Sequence, residues 1–317
     1  MVRTTLICAD GHRVSGEGLD LARNPPGDST VWVDLIATTE LGLSVLPTEW
    51  RFHPLALEDC LHPQRRAKYE RFPTHTFIVL QALDTGTEAD LDTTAVRIFV
   101  RPGLLVTVHD RPVSAISRVD ELVRSDGERV GTGADRVLHA IFDAVIDEFI
   151  PLLDRWEAEL DSLEAKADAD LEASTLDELV AIRHRLLVMR RTMLPQQEVL
   201  KRILESTDLS ETGAIYFRDV LDHIDAVSDS AALLVDVCAG AMQVQKQRAD
   251  DRLNRVMKYL AMVSTLLLPM TVISGALGMN FARIPHAESP NGFWHAVWLM
   301  VGIALVLAYW FRRKRWL

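Results

Sequence analysis

The chain has little cysteine. Its 317 residues hold three, Cys8, Cys60 and Cys238. They are odd in number and far apart, with no Cys-x-x-Cys pair, so neither a disulfide framework nor a zinc ribbon fits and all three read as small buried hydrophobes. No Gly-x-x-x-x-Gly-Lys-Ser/Thr loop occurs, which removes ATP as an evident energy source. No nucleophile stands with a base at a motif spacing, so an enzyme is the least supported class. The N-terminus, Met1 to Asp10, lacks the long apolar region of a signal peptide, and the first domain is expected to stay in the cytosol. Basic residues are also scarce over most of the length. The first 251 residues carry 26 basic and 44 acidic side chains, a balance of −18, which speaks against nucleic acid as a partner.

What is present is strongly divided. A hydrophobic share of 48% excludes disorder, and the length predicts about two domains. From Arg252 onward there are eight basic residues against one acid, Glu288, so a small, basic, very apolar tail follows an acidic body. Tyr259 to Ala282 is a run of 24 residues without formal charge, and about 20 suffice to cross the hydrocarbon core as a helix. A second apolar run extends from Gly292 to Phe311, with Trp294, Trp298, Tyr309, Trp310 and Trp316 placed like an interfacial belt. Arg252, Arg255 and Lys258 precede the first span and Arg312 to Arg315 follow the second, with Arg283 alone in the loop. The positive-inside rule then puts both termini in the cytoplasm and the short loop outside, a multi-pass protein of the cell (inner) membrane.

The expected fold class is α+β: an N-terminal cytosolic α/β domain, a long helical stalk and a C-terminal two-helix transmembrane hairpin. The expected boundaries are 1–130, 131–257 and 258–317, the spans covering about 258–279 and 292–311. Strands are expected at Thr4–Ile7, Thr30–Ile36, Thr76–Leu83 and Ala95–Val108, the last folded back at Arg101-Pro102-Gly103. Short helices are expected at Leu41–Trp50, His53–Leu61 and Ser114–Arg124. From Ala134 apolar residues recur at helical steps through Leu163, which predicts one long helix kinked at Pro151. An acidic tip at Asp168, Asp170 and Glu172 leads to Ser174, read as the N-cap of a return helix. A third helix is expected from about Glu211 to Leu277, roughly 100 Å long at 1.5 Å per residue.

Two spans cannot enclose an aqueous path, so transport requires several chains around an axis. On the first span Asn254, Met257, Ala261, Ser264, Leu268, Thr271, Gly275 and Gly278 form a stripe of small, polar and flexible residues at 3-4 spacing. Such a stripe is also what a packing seam looks like. Neither span holds an acid, so a path here would be lined by hydroxyls, carbonyls and Asn280, which suits a strongly hydrated ion such as Mg²⁺. Inward flux needs no other energy source, since a divalent cation gains about 4.6 kcal/mol per 100 mV of membrane potential.

Gly278-Met279-Asn280 closes the first span and the chain ends Phe311-Arg-Arg-Lys-Arg-Trp-Leu317. Together with Asn254-Arg-Val-Met257-Lys258, Pro269-Met-Thr271, Tyr216-Phe-Arg-Asp219-Val-Leu-Asp222-His223 and His53-Pro-Leu-Ala-Leu-Glu58-Asp59, these segments strongly resemble the CorA family of magnesium channels. The resemblance implies a funnel-shaped homopentamer in the lipid bilayer, with the first span lining the pore. It implies a selectivity filter at Gly278, Met279 and Asn280, and pore or gate positions at Asn254, Met257, Leu260, Leu268 and Thr271. The stripe adds Ser264 and Gly275. It further implies that Mg²⁺ is both transported and regulatory, sensed between subunits at Asp219 with an acid of the neighbouring first domain. Asp84 is the chosen partner, with Glu88 and Asp90 as rivals.

Other conspicuous residues receive plainer readings. His53, Glu58, Asp59, Cys60 and His62 look like a metal cluster by composition but read as structural hydrogen bonding. Arg183, Arg185, Arg190 and Arg191 read as a solvated face or as partners of the acidic tip. The chain departs from the family at Leu277, where an aromatic residue is usual, and at Ile284-Pro285-His286-Ala287-Glu288 after the filter. His286 in place of an acid weakens the attraction at the mouth and favours softer ions such as Zn²⁺ or Co²⁺. A Zn²⁺ transporter of the same family and a non-conducting membrane-anchored sensor or scaffold are therefore the alternatives.

Overall fold

The structure, a computed structural model, describes residues 2–8, 12–23, 25, 27, 29–36, 45–62, 66–84, 91–125, 130–169, 173–206, 211–279 and 291–314. The chain forms two compact units, Met1–Met242 and Gln243–Leu317.

The first unit is built on a seven-stranded sheet. Its strands are β1 (Val2–Ile7), β2 (Arg13–Glu17), β3 (Thr30–Ile36), β4 (Lys68–Arg71), β5 (Thr76–Leu83), β6 (Thr93–Arg101) and β7 (Leu104–His109). Their order is β2-β1-β3-β7-β6-β5-β4, and every neighbouring pair is antiparallel except β3 and β7. Short helices α1 (Asp20–Arg23), α2 (Val45–Trp50) and α3 (Pro54–Leu61) are followed by α4 (Ser114–Ser125), α5 (Ala134–Asp147), α6 (Ile150–Ala169) and α7 (Ala173–Glu205). The longest helix, α8 (Glu211–Leu277), begins in this unit.

Both faces of the sheet are covered. Phe77, Val79, Phe99 and Val106 pack with Trp50, Phe52, Ala56 and Cys60 of the α2–α3 side, whereas Ile78, Leu80, Ile98 and Leu105 pack with the long helices. Alternate residues thus find apolar partners on opposite sides, and the central strands read as continuous apolar runs. The expected strands at Thr30–Ile36 and Thr76–Leu83 form with those bounds, and Ala95–Val108 is the β6–β7 hairpin. Gly103, at φ 73° in its turn, takes a conformation that other residues resist. Strands β2 and β4 were not expected. They are the sheet's two edges, short and largely charged or polar, where an apolar alternation has no reason to appear.

The helix expected to run unbroken from Ala134 is two helices. α5 ends at Asp147, Glu148 caps it, and Phe149 donates its N–H to the Ile146 carbonyl before α6 begins at Ile150. Pro151 sits in the first turn of α6, where its missing N–H costs nothing, so the proline marks a start rather than a kink. α7 begins at Ala173, so Ser174 lies inside the helix and is not its N-cap. Residues 170–172 of the acidic tip, and the first four residues of the helix expected at Leu41–Trp50, lie outside the described residues. Leu153, Trp156, Leu160 and Leu163 of α6 are buried, as are Leu179, Ile182, Leu186, Met189 and Met193 of α7. Phe217, Val220, Ile224, Val227, Ala231, Leu234 and Cys238 give α8 a buried 3-4 stripe in the same core.

A buried guanidinium stands against this core. Arg97 of β6 is 1% exposed. Its guanidinium donates to the carbonyls of Asp59 and His62 and to both oxygens of Asp110, all at 3.3 Å. It thereby fastens the end of α3 to the sheet.

In the second unit, α8 continues to Leu277 and α9 (Gly292–Arg313) follows. Both helices are long and apolar enough to cross a membrane, and their most apolar stretches are only 6% and 0% buried. A core hairpin of a soluble protein would bury them.

Replacing Arg97 by Met keeps the bulk but removes five hydrogen bonds of a charged donor, and should cost about 3 kcal/mol of stability. Thermal unfolding of the Arg97→Met variant checks this, and an unchanged melting temperature would show that the clamp carries no stability.

Candidate functional site

α8 carries the residues expected along an ion path. Asn254, Met257, Ala261, Ser264, Leu268, Thr271 and Gly275 recur at three- and four-residue steps and are all exposed, with Leu260 at the stripe's edge. The opposite face, with Val263, Leu267 and Val272, is exposed as well. Met262 is buried and Leu266, Met270 and Ile273 are half-buried along one side, but the other sides of this apolar helix are bare within the unit and must be covered by lipid or by copies of the chain. Thr271 donates its hydroxyl proton to the Leu267 carbonyl at 2.7 Å. Its oxygen therefore keeps lone pairs free to accept, which is what the water shell of a cation, made of donors, requires.

The helix stops at Leu277. The Gly278 N–H reaches the Ser274 carbonyl at 2.9 Å, and a Cβ at position 278 would stand 3.2 Å from that same oxygen. A side chain is thus poorly accommodated where the chain leaves the helix. The carbonyl end of a helix carries partial negative charge, so Gly278 and Met279 follow a terminus that favours a cation. Asn280, Arg283, His286 and Glu288 lie outside the described residues.

The acids of the first unit fall into two places. Asp84, at the end of β5, pairs with Arg111 at 2.7 Å. Its rivals Glu88 and Asp90 lie outside the described residues. Asp219 is exposed on α8. One turn further, His223 meets Asp143 and Asp147 of α5, and the three offer ligand atoms within 4.8 Å of one another. His223 Nδ1 stands 3.7 Å from Asp147 Oδ1. Burial pushes the Asp143 carboxyl above its ordinary pKa, Asp147 and Asp219 push it further, and His223 and Arg118 offset part of the shift. A cation placed there would relieve this repulsion.

Sequence reading missed Asp143 and Asp147. Their signal was a pair of acids four apart inside a strongly apolar helix, which puts both on one face. His223 was noticed only as part of a matching segment.

The remaining clusters serve the fold. His53 caps α3 by accepting the Leu55 N–H at 3.3 Å, Asp59 pairs with Lys68 at 2.6 Å, and His62 Nδ1 meets the Glu58 carbonyl at 3.0 Å. Burial pushes the Cys60 thiol up to about 12 and raises Cys238 as well. Arg185 pairs with Glu159 at 3.0 Å and lies over the Trp156 ring, while Arg183, Arg190 and Arg191 are exposed.

Comparison with known proteins agrees with this arrangement. The family described as CorA-like Mg²⁺ transporter protein matches residues 27–313. A cobalt/magnesium transport protein CorA of Thermotoga maritima is 28% identical over 269 residues, covering 84% of this chain and 77% of its own. A protein of the same description from Methanocaldococcus jannaschii is 29% identical over 239 residues, covering 73% and 74%. In fold, the complete structure of the CorA magnesium transporter from M. jannaschii superposes with a TM-score of 0.86 at 22% identity, covering 99% of this chain and 98% of that one. Full-length CmaX gives 0.82 at 21% identity. The matched region takes in most of the sheet, the long helices and both apolar helices, and the chain belongs to the CorA-like Mg²⁺ transporters, membrane proteins that move divalent cations and not enzymes.

Proposed function

We propose that the chain works as a homopentameric channel of the cell membrane that passes hydrated Mg²⁺ into the cytosol down the membrane potential. The observation that carries this reading is the stretch of α8 from Tyr259 to Gly275, apolar yet exposed over most of its circumference within its unit, the stripe included. Copies of the chain around an axis cover one face and leave the stripe lining a path, while α9 and lipid cover the other. Gly278, Met279 and Asn280 form the outer filter, five amides hydrogen-bonding the ion's water shell. Thr271, Ser264 and Gly275 continue the polar lining, and rings of Leu268, Leu260 and Met257, with Asn254 below, close by dewetting. In functional terms the chain divides at about residues 130 and 257 into a cytosolic domain, a stalk and a transmembrane domain, with both termini cytoplasmic.

Closure is set by cytosolic Mg²⁺ bound between subunits, Asp219 of one chain with Asp84 of its neighbour. Asp84 must exchange Arg111 for the ion. Asp143, Asp147 and His223 stand beside Asp219 and extend the acidic surface, so loss of the ion leaves carboxylates repelling one another. The imidazole makes this surface better suited to Co²⁺ than an all-oxygen set, Mg²⁺ being held through its waters. A Zn²⁺ transporter and a non-conducting sensor are the competing outcomes of the flux experiment.

Three results test the reading. In liposomes with an imposed inside-negative potential, Mg²⁺ should enter, and Asn280→Ala should abolish entry while leaving the oligomer intact. Entry of Zn²⁺ that requires a proton gradient, or no flux from the unmodified chain, would overturn it. Asp219→Ala should weaken closure by Mg²⁺ on the cytosolic side, and undiminished inhibition would remove Asp219 from the sensor. The raised pKa of Asp143 means that the folded chain binds more protons than the unfolded chain between the ordinary and the raised value, so stability from this position is lost as pH rises through that window. Asp143→Asn should therefore raise the melting temperature of the metal-free protein at neutral pH. The same substitution should reduce the stabilisation by Mg²⁺ or Co²⁺, about 1.4 kcal/mol for the unmodified chain at ten times Kd.

A further inference from the structure

The second unit ends in a dense patch of positive charge. Arg312 and Arg313 close the last turn of α9 and Lys314 is its C-cap, and all three are exposed. None of them has a carboxylate partner among the described residues. Consecutive residues of a helix stand about 100° apart, so three in a row fan over about 200° of the circumference. A neighbour packed on one face of α9 therefore leaves part of this charge uncovered. The carbonyl end of a helix attracts cations but carries only about half a charge, which three cations exceed.

α8 contributes charge of the same sign where its own apolar run begins. Arg255 and Arg252, one and two turns before Tyr259, are both exposed. Asp250 and Asp251, the nearest acids along the chain, form no ion pair with them among the described residues. Two successive crossings of a bilayer return a chain to the side on which it started, so both groups of cations stand at one membrane surface. Tyr259, Tyr309 and Trp310 lie at the same level and are 60%, 67% and 48% exposed. Tyr and Trp are the residues that settle where hydrocarbon meets headgroups, which places the cations beside them at headgroup depth.

Cations at that depth without protein counterions call for anions there, and the anion a bilayer supplies in quantity is the phosphodiester of an acidic phospholipid. A zwitterionic lipid brings its own cation and offers no net charge. Guanidinium is the side chain best matched to phosphate oxygens, and a basic segment beside a membrane gains about fivefold in affinity for each Lys or Arg near an anionic surface. We propose that this end of the helix pair is a docking surface for anionic phospholipid headgroups, phosphatidylglycerol above all, with Arg312, Arg313 and Lys314 holding the phosphate and Tyr309 and Trp310 lying along the glycerol and upper acyl chains. The attachment depends on the membrane placement of the two helices and not on which ion the chain passes. Lipid bound there tethers the start of the apolar stretch of α8 and the end of α9 to one leaflet.

Thermal unfolding of the full-length protein in a neutral detergent, titrated with phosphatidylglycerol, phosphatidylcholine or soluble glycerophosphate, tests the assignment. Phosphatidylglycerol should raise the melting temperature saturably, and less so in high salt, while the other two leave it nearly unchanged. Arg312→Gln and Arg313→Gln should each raise the half-saturating phosphatidylglycerol concentration about fivefold, and Arg313→Lys should restore most of the loss. Arg202→Gln, which removes a cation paired with Glu198 in the first unit, should change nothing. Lys314→Gln, past the last helical turn, gives the same test if the arginine variants do not assemble. The proposal is overturned if phosphatidylglycerol gives no saturable shift, if phosphatidylcholine protects equally, or if folded variants at positions 312 to 314 respond like the unmodified chain. An equal, arginine-dependent shift from glycerophosphate overturns it in favour of a soluble anion.

Discussion

A single helix of 67 residues has to live in two solvents. Over Phe217 to Cys238 it keeps one apolar stripe against a protein core and turns its other faces to water. Beyond Lys258 it has no charged side chain left and is apolar around its circumference, so water cannot be its surroundings there. Every other element of the fold accommodates that change. The sheet and α5 to α7 bury the first stretch, and α9, equally bare, shares the apolar surroundings of the second.

The two stretches also differ in how they treat charge. In the first unit acids crowd one side of α5 and α8, held by backbone packing although they repel one another. From Tyr259 to Leu277, by contrast, the polar side chains of α8 are hydroxyls, and groups such as the Thr271 hydroxyl and the Gly278 N–H bond to carbonyls of the same helix. The contrast follows from dielectric. Carboxylates are tolerable where water and counterions reach them, and prohibitive along an apolar helix.

Much of this was legible in the residues. The bounds of β3, β5 and α8 match their expected positions because long, strongly periodic or uniformly apolar runs leave few alternatives. The break between α5 and α6 was not legible, because Phe149 and Ile150 continue the apolar period and only the carbonyl pairing reveals the interruption. Arg97 could have been suspected, standing as it does in the apolar run Ala95-Val96-Arg97-Ile98-Phe99, yet its partners at Asp59, His62 and Asp110 are joined only by the tertiary fold. Asp143 and Asp147 were passed over because attention to the apolar residues of α5 hid the acids between them. The pairing of Asp84 with Arg111 depends on two chain segments that no local pattern relates.

The burial of two of the three thiols has a chemical consequence of its own. Cys60 and Cys238 are enclosed in the protein, 4% and 0% exposed, and both are held in the protonated form by their surroundings. Attack on peroxide, disulfide exchange and alkylation all proceed through the thiolate, which these two residues scarcely provide. These two sulfurs are thereby insulated from the redox state of their surroundings, whatever oxidants reach the surface of the protein.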